Sequence, residues 1–179
     1  MKLHLIRHAE SENNILKRYN KHYTALTARG LRQAISIANS FKKKDIEAIF
    51  SSDALRCKQT AKKLSAKLLC PVNYSSLLRP INKGVLSGKP KSLFYQYLAK
   101  SHKGPLNFKA SRGESFQEVY TRAKLFIQLM KKKNYKEIIV LSHSTFIQTL
   151  KLALRHQPLN KRVLKEIPNC HKQTIILSS

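Results

Sequence analysis

Short aliphatic runs alternate with longer amphipathic stretches along this chain, and that alternation restricts the fold more than any other feature of the sequence. KLHLIR (residues 2–7) is long enough for a strand and too short for a helix. In ALTARGLRQAISIANSFKKK (25–44), Leu31, Ala34, Ile35, Ala38 and Phe41 recur at helical spacing, and the lysine-rich end suits the negative end of a helix dipole. EAIFSS (47–52) is a second strand. ALRCKQTAKKLSAKLL (54–69) is helical, with Leu55, Ala61, Leu64 and Leu68 recurring and Pro71 ending it. A short strand after Pro71 leads into an irregular segment, 77–112, that carries Pro80, Gly84, Gly88 and Pro90 and one helix near SLFYQYLAKS (92–101). Segments of that kind are often lids. RGESFQEVYTRAKLFIQLMKKK (112–133) opens with Ser115 and Glu118 at capping-box spacing. The strand EIIVLSH (137–143), the helix STFIQTLKLALRH (144–156) and the strand QTIILS (173–178) follow. The order predicts an α/β fold, a three-layer α/β/α sandwich with a largely parallel central sheet, in one domain spanning residues 1–179.

Composition narrows the function classes. Thirty-five Lys and Arg against nine Asp and Glu leave a net charge of +26, which predicts salt-sensitive, nonspecific polyanion binding. The lysines are spread through FKKKD, AKKLSAK and MKKKNYK, and no basic stripe interleaved with aromatics forms a base-stacking platform. Adventitious surface charge is therefore preferred to a nucleic-acid function. Cys57, Cys70 and Cys170 are odd in number and lack the paired spacing of a zinc site or redox motif. MKLHLI is halted by Arg7 too early for a signal peptide, and no run reaches the length of a membrane span, so a cytoplasmic location without membrane association is expected.

Parallel sheets bind ligands beyond the carboxyl ends of their strands. Two aliphatic runs stop there on histidine: LHLIRH on Arg7 and His8, and IIVLSH on His143. FSSDALR brings Arg56 just after a third strand end. Neighbours in a strand point to opposite faces, so Arg7 and His8 share a site only if the backbone leaves strand geometry between them. Two arginines and two histidines at one sheet edge make a dianion pocket, to which the helix beginning at Ser144 adds its N-terminal N–H groups.

The chain resembles the histidine phosphatase superfamily, the phosphoglycerate mutase-like family. LIRHAESENN is similar to its opening motif, with Ala9 where Gly is usual; LTARGLRQA and SSDALRCKQTA resemble its next two signatures. RGES resembles a later one, VLSHSTFIQTL the segment holding its second histidine, and the closing IPNCHKQTIIL also fits. The resemblance implies a phosphoric monoester hydrolase of histidine acid phosphatase type, working without a metal or other cofactor. His8 would be the nucleophile, forming a phosphohistidine that water hydrolyses. Arg7, Arg56 and His143 would hold the phosphoryl oxygens, and Ser11 and Asn14 would reach the substrate, a phosphorylated small molecule or phosphoprotein.

One position departs from the family pattern. In LRPINKGVLSG (78–88) the two glycines keep register, but the usual general-acid Glu is Pro80. Three readings follow. The acid comes from Glu10, Glu12 or Glu114, with Glu114 favoured because its loop leads into the site in similar folds. A first-turn charge beside the Ser115 cap is its structural alternative. Otherwise the substrate has a good leaving group, or the protein binds phosphorylated ligands with weak or no turnover. Mutase activity is not expected without the acid.

Overall fold

The computed structural model describes residues 1–42 and 46–177. Five strands form one sheet: β1 (Lys2–Arg7), β2 (Ala48–Ser52), β3 (Val72–Ser75), β4 (Glu137–Ser142) and β5 (Lys172–Ile176), in the spatial order β3-β2-β4-β1-β5. All pairs are parallel except β1 with β5, which is antiparallel. In the central pair Lys2 faces Glu137 and Arg7 faces Ser142, so β1 and β4 end level.

Side chains alternate across the sheet. Leu3, Leu5, Ile138 and Val140 pack on one face against α5 (Phe116–Lys131) and α6 (Ser144–Leu154). Ile6, Ile139 and Leu141 pack on the other, against Ala38 of α2 (Ala28–Asn39) and Cys57, Ala61 and Leu64 of α3 (Leu55–Leu68). Coverage on both faces explains why these strands are continuous aliphatic runs rather than apolar-polar alternations. The Ser115 capping box forms as expected: the Ser115 Oγ accepts from the Glu118 N–H at 3.2 Å, and the Glu118 carboxylate accepts from the Ser115 N–H at 2.6 Å.

Helix α2 differs from its sequence pattern. Its inward face is Gly30, Ala34 and Ala38, while Leu31 and Ile35 remain 38% and 46% exposed. The helix lies so close to the chain after β1 that a Cβ on Gly30 would come within 2.0 Å of the Glu10 carbonyl oxygen. Small residues win the inward positions because only they allow that approach. The helix also ends at Asn39, before the lysines assigned to its last turn; Lys43, Lys44 and Asp45 of that run, and Ser178 of the last expected strand, lie outside the described residues.

Residues 77–112 include α4 (Leu93–Lys100) and pack around a small core of their own, Leu86, Phe94, Phe108 and Ala110. Gly84 is required in this segment: its φ is +51°, and a Cβ would meet the Ser111 carbonyl oxygen at 2.0 Å. Among the described residues no helix is long and apolar enough to cross a membrane.

Candidate active site

The level ends of β1 and β4 open onto a cavity of about 380 Å³. Arg7 is the last residue of β1, and His8 lies beyond it, where the backbone has left strand geometry. The His8 N–H donates to the Ser142 carbonyl at 2.9 Å, and its own carbonyl accepts from the Asn169 amide at 2.9 Å, which fixes the exit of the chain. His143 follows β4 directly and caps α6, and Arg56 stands in the first turn of α3 behind β2. Arg7, His8, Arg56 and His143 are each at least 95% buried and all four line the cavity.

Hydrogen bonds assign the ring nitrogens. His8 Nδ1 lies 2.7 Å from the Ala9 carbonyl oxygen, which can only accept, so Nδ1 carries the proton. His8 Nε2 is then the lone-pair nitrogen, and Arg56 Nε–H donates to it at 3.3 Å. Arg56 Nη2 donates to His143 Nδ1 at 3.1 Å, so His143 carries its proton on Nε2, 2.9 Å from the Ser52 hydroxyl. Burial first, then Arg56 and Arg7, holds His8 well below its usual 6.5; burial, Arg56 and His8 do the same for His143. Both rings are neutral at neutral pH. Burial pulls Arg56 down to about 10, still charged at that pH.

Arg7 is half-occupied. Its Nη1 donates to the Ile167 carbonyl and its Nη2 to the Glu166 carboxylate at 2.7 Å. Its Nε is buried with no partner.

The other residues expected at the site divide. Asn14 and Ser144 line the cavity. Ser11 does not: it is fully buried, and its hydroxyl lies 2.8 Å from the side-chain oxygens of both Asn14 and Asn20. It caps a single helical turn, α1 (Glu12–Ile15), and holds Asn14 in place. Pro80 lines the cavity, so no carboxylate enters from that position.

The three acids considered as substitutes all lie off the cavity. Glu114 is gripped by Arg122, whose Nε and Nη2 donate to the two carboxylate oxygens at 2.6 and 2.8 Å, and it also accepts from the Asn82 N–H at 3.1 Å. Arg122 in turn donates to the carbonyls of Leu77, Arg79 and Pro80. Glu114 is thus the root of a staple that fixes the start of the 77–112 segment on α5. Glu10 bonds to the Thr27 hydroxyl and pairs with Arg29, and Glu12 is exposed in the first turn of α1.

Sequence reasoning missed two groups on the walls. Glu166 lines the cavity, the one carboxylate that does so among the described residues. It bridges Arg7 to Lys91, whose Nζ is 2.8 Å from its second oxygen. Burial pulls the Glu166 carboxyl up, but Lys91 and Arg7 outweigh it and hold it below the usual carboxylate range. Lys83 sits with its Nζ 4.9–5.4 Å from the ring centres of Phe94, Tyr19 and Phe116, and burial pulls it down to about 8. Neither has a local motif. Glu166 is 159 positions from Arg7, and only the folded chain brings them together.

Residues 3–177 match the model of the histidine phosphatase superfamily (branch 1). The chain is 30% identical over 159 residues to "Probable phosphatase C1620.13" of Schizosaccharomyces pombe; the match covers 84% of the chain and 55% of that relative. The chain therefore spans little more than half of the yeast protein. It is 29% identical over 171 residues to phosphoserine phosphatase 1 of Hydrogenobacter thermophilus, covering 90% of the chain and 79% of the relative. A protein of Escherichia coli named "Probable phosphoglycerate mutase GpmB" is 29% identical over 127 residues, 68% of the chain and 59% of the relative. Among solved structures, a phosphoserine phosphatase variant of Entamoeba histolytica in complex with phosphoserine superposes with a TM-score of 0.80 at 26% identity, covering 98% of the chain and 90% of that one.

Proposed function

The chain belongs to the histidine phosphatase superfamily, branch 1, and from that membership we propose that it is a phosphatase that forms a phosphohistidine on His8 and passes the phosphoryl group to water. The observation that carries this reading is the bonding of the His8 ring. Its proton is held on Nδ1 by the Ala9 carbonyl, and its lone pair lies on Nε2 beside Arg56 at the floor of the cavity. A histidine is a nucleophile only when neutral, and burial among cations keeps it so.

The phosphoryl group docks with its oxygens toward Arg7, Arg56, the His143 side and the N–H groups at the start of α6. Charge that spreads over those oxygens as the P–O bond breaks meets fixed positive groups, which is the main requirement of phosphoryl transfer. The substrate is a phosphorylated small molecule. The cavity is walled by Ile81, Lys83, Phe94, Tyr95 and Leu98 of the 77–112 segment, and to that segment we assign substrate choice.

A second reading, a protein that binds phosphorylated ligands without turning them over, draws on Pro80 in the place of the family's acid. Incubation with a 32P-labelled aryl phosphate followed by an alkaline quench separates the two. The phosphatase reading expects acid-labile label on wild type, none on His8→Ala, and turnover lost with it. Phosphate-dependent thermal stabilisation with neither label nor turnover would establish the binding protein instead.

A further inference from the structure

The proton that the leaving oxygen needs has no source at Pro80, and Glu10, Glu12 and Glu114 lie off the cavity. Glu166 lies on it, in contact with the guanidinium that would hold the phosphoryl group. We propose that Glu166 is the proton-transfer group of this site, acting as acid when His8 is phosphorylated and as base when the phosphohistidine is hydrolysed. The inference rests on the phosphatase reading above.

The chemistry closes on itself. In the free protein the carboxylate takes Arg7 Nη2 and Lys91 Nζ, so the phosphoryl group must compete with it for Arg7. A phosphate monoester that arrives as its monoanion brings a proton. As its oxygens take over Arg7, the carboxylate loses its nearest cation and gains a neighbouring anion, and both changes favour moving that proton onto Glu166. The Arg56 Nε–H turns from His8 Nε2 to a phosphoryl oxygen, the freed Nε2 lone pair forms the N–P bond, the P–O ester bond breaks with its electron pair on the leaving oxygen, and that oxygen takes the proton from Glu166. In the second step a water proton passes to the Glu166 carboxylate as the water oxygen bonds to phosphorus. The P–N electron pair returns to Nε2, and inorganic phosphate leaves with the proton Glu166 has gained. No reactant other than substrate and water is used.

The position of Glu166 suits both steps. It follows the short helical turn Lys161–Leu164 and precedes Ile167, whose carbonyl accepts from Arg7 Nη1 and whose N–H donates to the Ser144 hydroxyl at 3.0 Å. The backbone beside it is therefore tied to Arg7 and to the first residue of α6, while the side chain itself is half-exposed at the cavity wall, held by Arg7 and Lys91. The same geometry would serve a plain latch between the cavity floor and Lys91, so the test must separate chemistry from bridging.

Steady-state and burst kinetics of wild type, Glu166→Gln and Lys91→Met on p-nitrophenyl phosphate and on an n-alkyl phosphate make that separation. An alkoxide needs the acid and p-nitrophenolate does not. Glu166→Gln is expected to lose about 100-fold on the alkyl phosphate while its p-nitrophenyl burst stays within about threefold of wild type. It should also accumulate phosphohistidine, because the second step has lost its base. Lys91→Met cuts the same bridge but keeps the carboxylate, so its ratio of aryl to alkyl turnover should match wild type. Equal losses of the burst (phosphorylation) rate on both substrates in Glu166→Gln, no loss of that rate on either, or a Lys91→Met that copies Glu166→Gln would each overturn the assignment. A wild type with no His8-dependent turnover of p-nitrophenyl phosphate would remove the phosphatase reading, and this inference with it.

Discussion

Two buried histidines that stay neutral couple this site to the stability of the fold. In the unfolded chain His8 and His143 titrate near 6.5. In the folded protein burial and the neighbouring arginines hold both far lower. Between those limits the unfolded state binds the extra protons, so stability is greatest above about 6.5 and falls as the pH drops below it. Where both rings contribute fully the slope is about 2.7 kcal/mol per pH unit. Urea denaturation between pH 7 and pH 5 should show it, and His8→Ala should reduce the slope by about half. A pH-independent wild type in that window would mean that the rings protonate in place. At this scale much of the site was legible: Arg7, His8, Arg56 and His143 announce themselves at strand ends, as does the capping pair Ser115 and Glu118. Ser11 was misread because a serine beside a polar turn looks the same whether it meets a ligand or caps a helix, and only its complete burial on Asn14 and Asn20 decides.

Between elements, the Glu114–Arg122 pair decides where the 77–112 segment begins. Arg122 spends its donors on Glu114 and on three carbonyls of residues 77–80, which ties that stretch to α5. Removing the arginine strands a largely buried carboxylate and frees those carbonyls, so Arg122→Met should cost about 3–5 kcal/mol in urea denaturation. Glu114→Gln keeps the shape and some of the hydrogen bonds, and it should cost about 1–3 kcal/mol. Turnover by Glu114→Gln should stay within about threefold of wild type, because its carboxylate is off the cavity. A large loss on alkyl phosphates alone would return Glu114 to the role of acid. Strand and helix order were readable from periodicity, since strands covered on both faces and amphipathic helices leave distinct patterns. The facing of α2 was not: Leu31 and Ile35 form as good an apolar stripe as Ala34 and Ala38, and the contact of Gly30 with Glu10 lies outside the helix itself.

Over the whole molecule the net charge of +26 creates a positive field. It predicts weak binding to any duplex, with affinity falling steeply as salt rises. His8→Ala should leave that binding unchanged in filter-binding or anisotropy titrations at low and moderate salt. Binding that resisted salt, or that fell with His8→Ala, would mean that nucleic acid enters the cavity. The cavity's own walls are a mixture of cation and aromatic ring, as in Lys83 among Tyr19, Phe94 and Phe116. That is a small concave surface, unlike the spread of lysines outside.

The sequence by itself determined the parallel α/β order, the sheet edge on which the cavity opens and four of the residues that line it. Each of these is written in short-range patterns: strand length, helical spacing and the residue at which a strand stops. The tertiary structure decided which carboxylate faces the cavity. It turned Glu114 to Arg122, brought Glu166 across to Arg7 and Lys91, and left one Arg7 N–H bare. Those outcomes depend on contacts between residues far apart in the chain, and no local pattern records them.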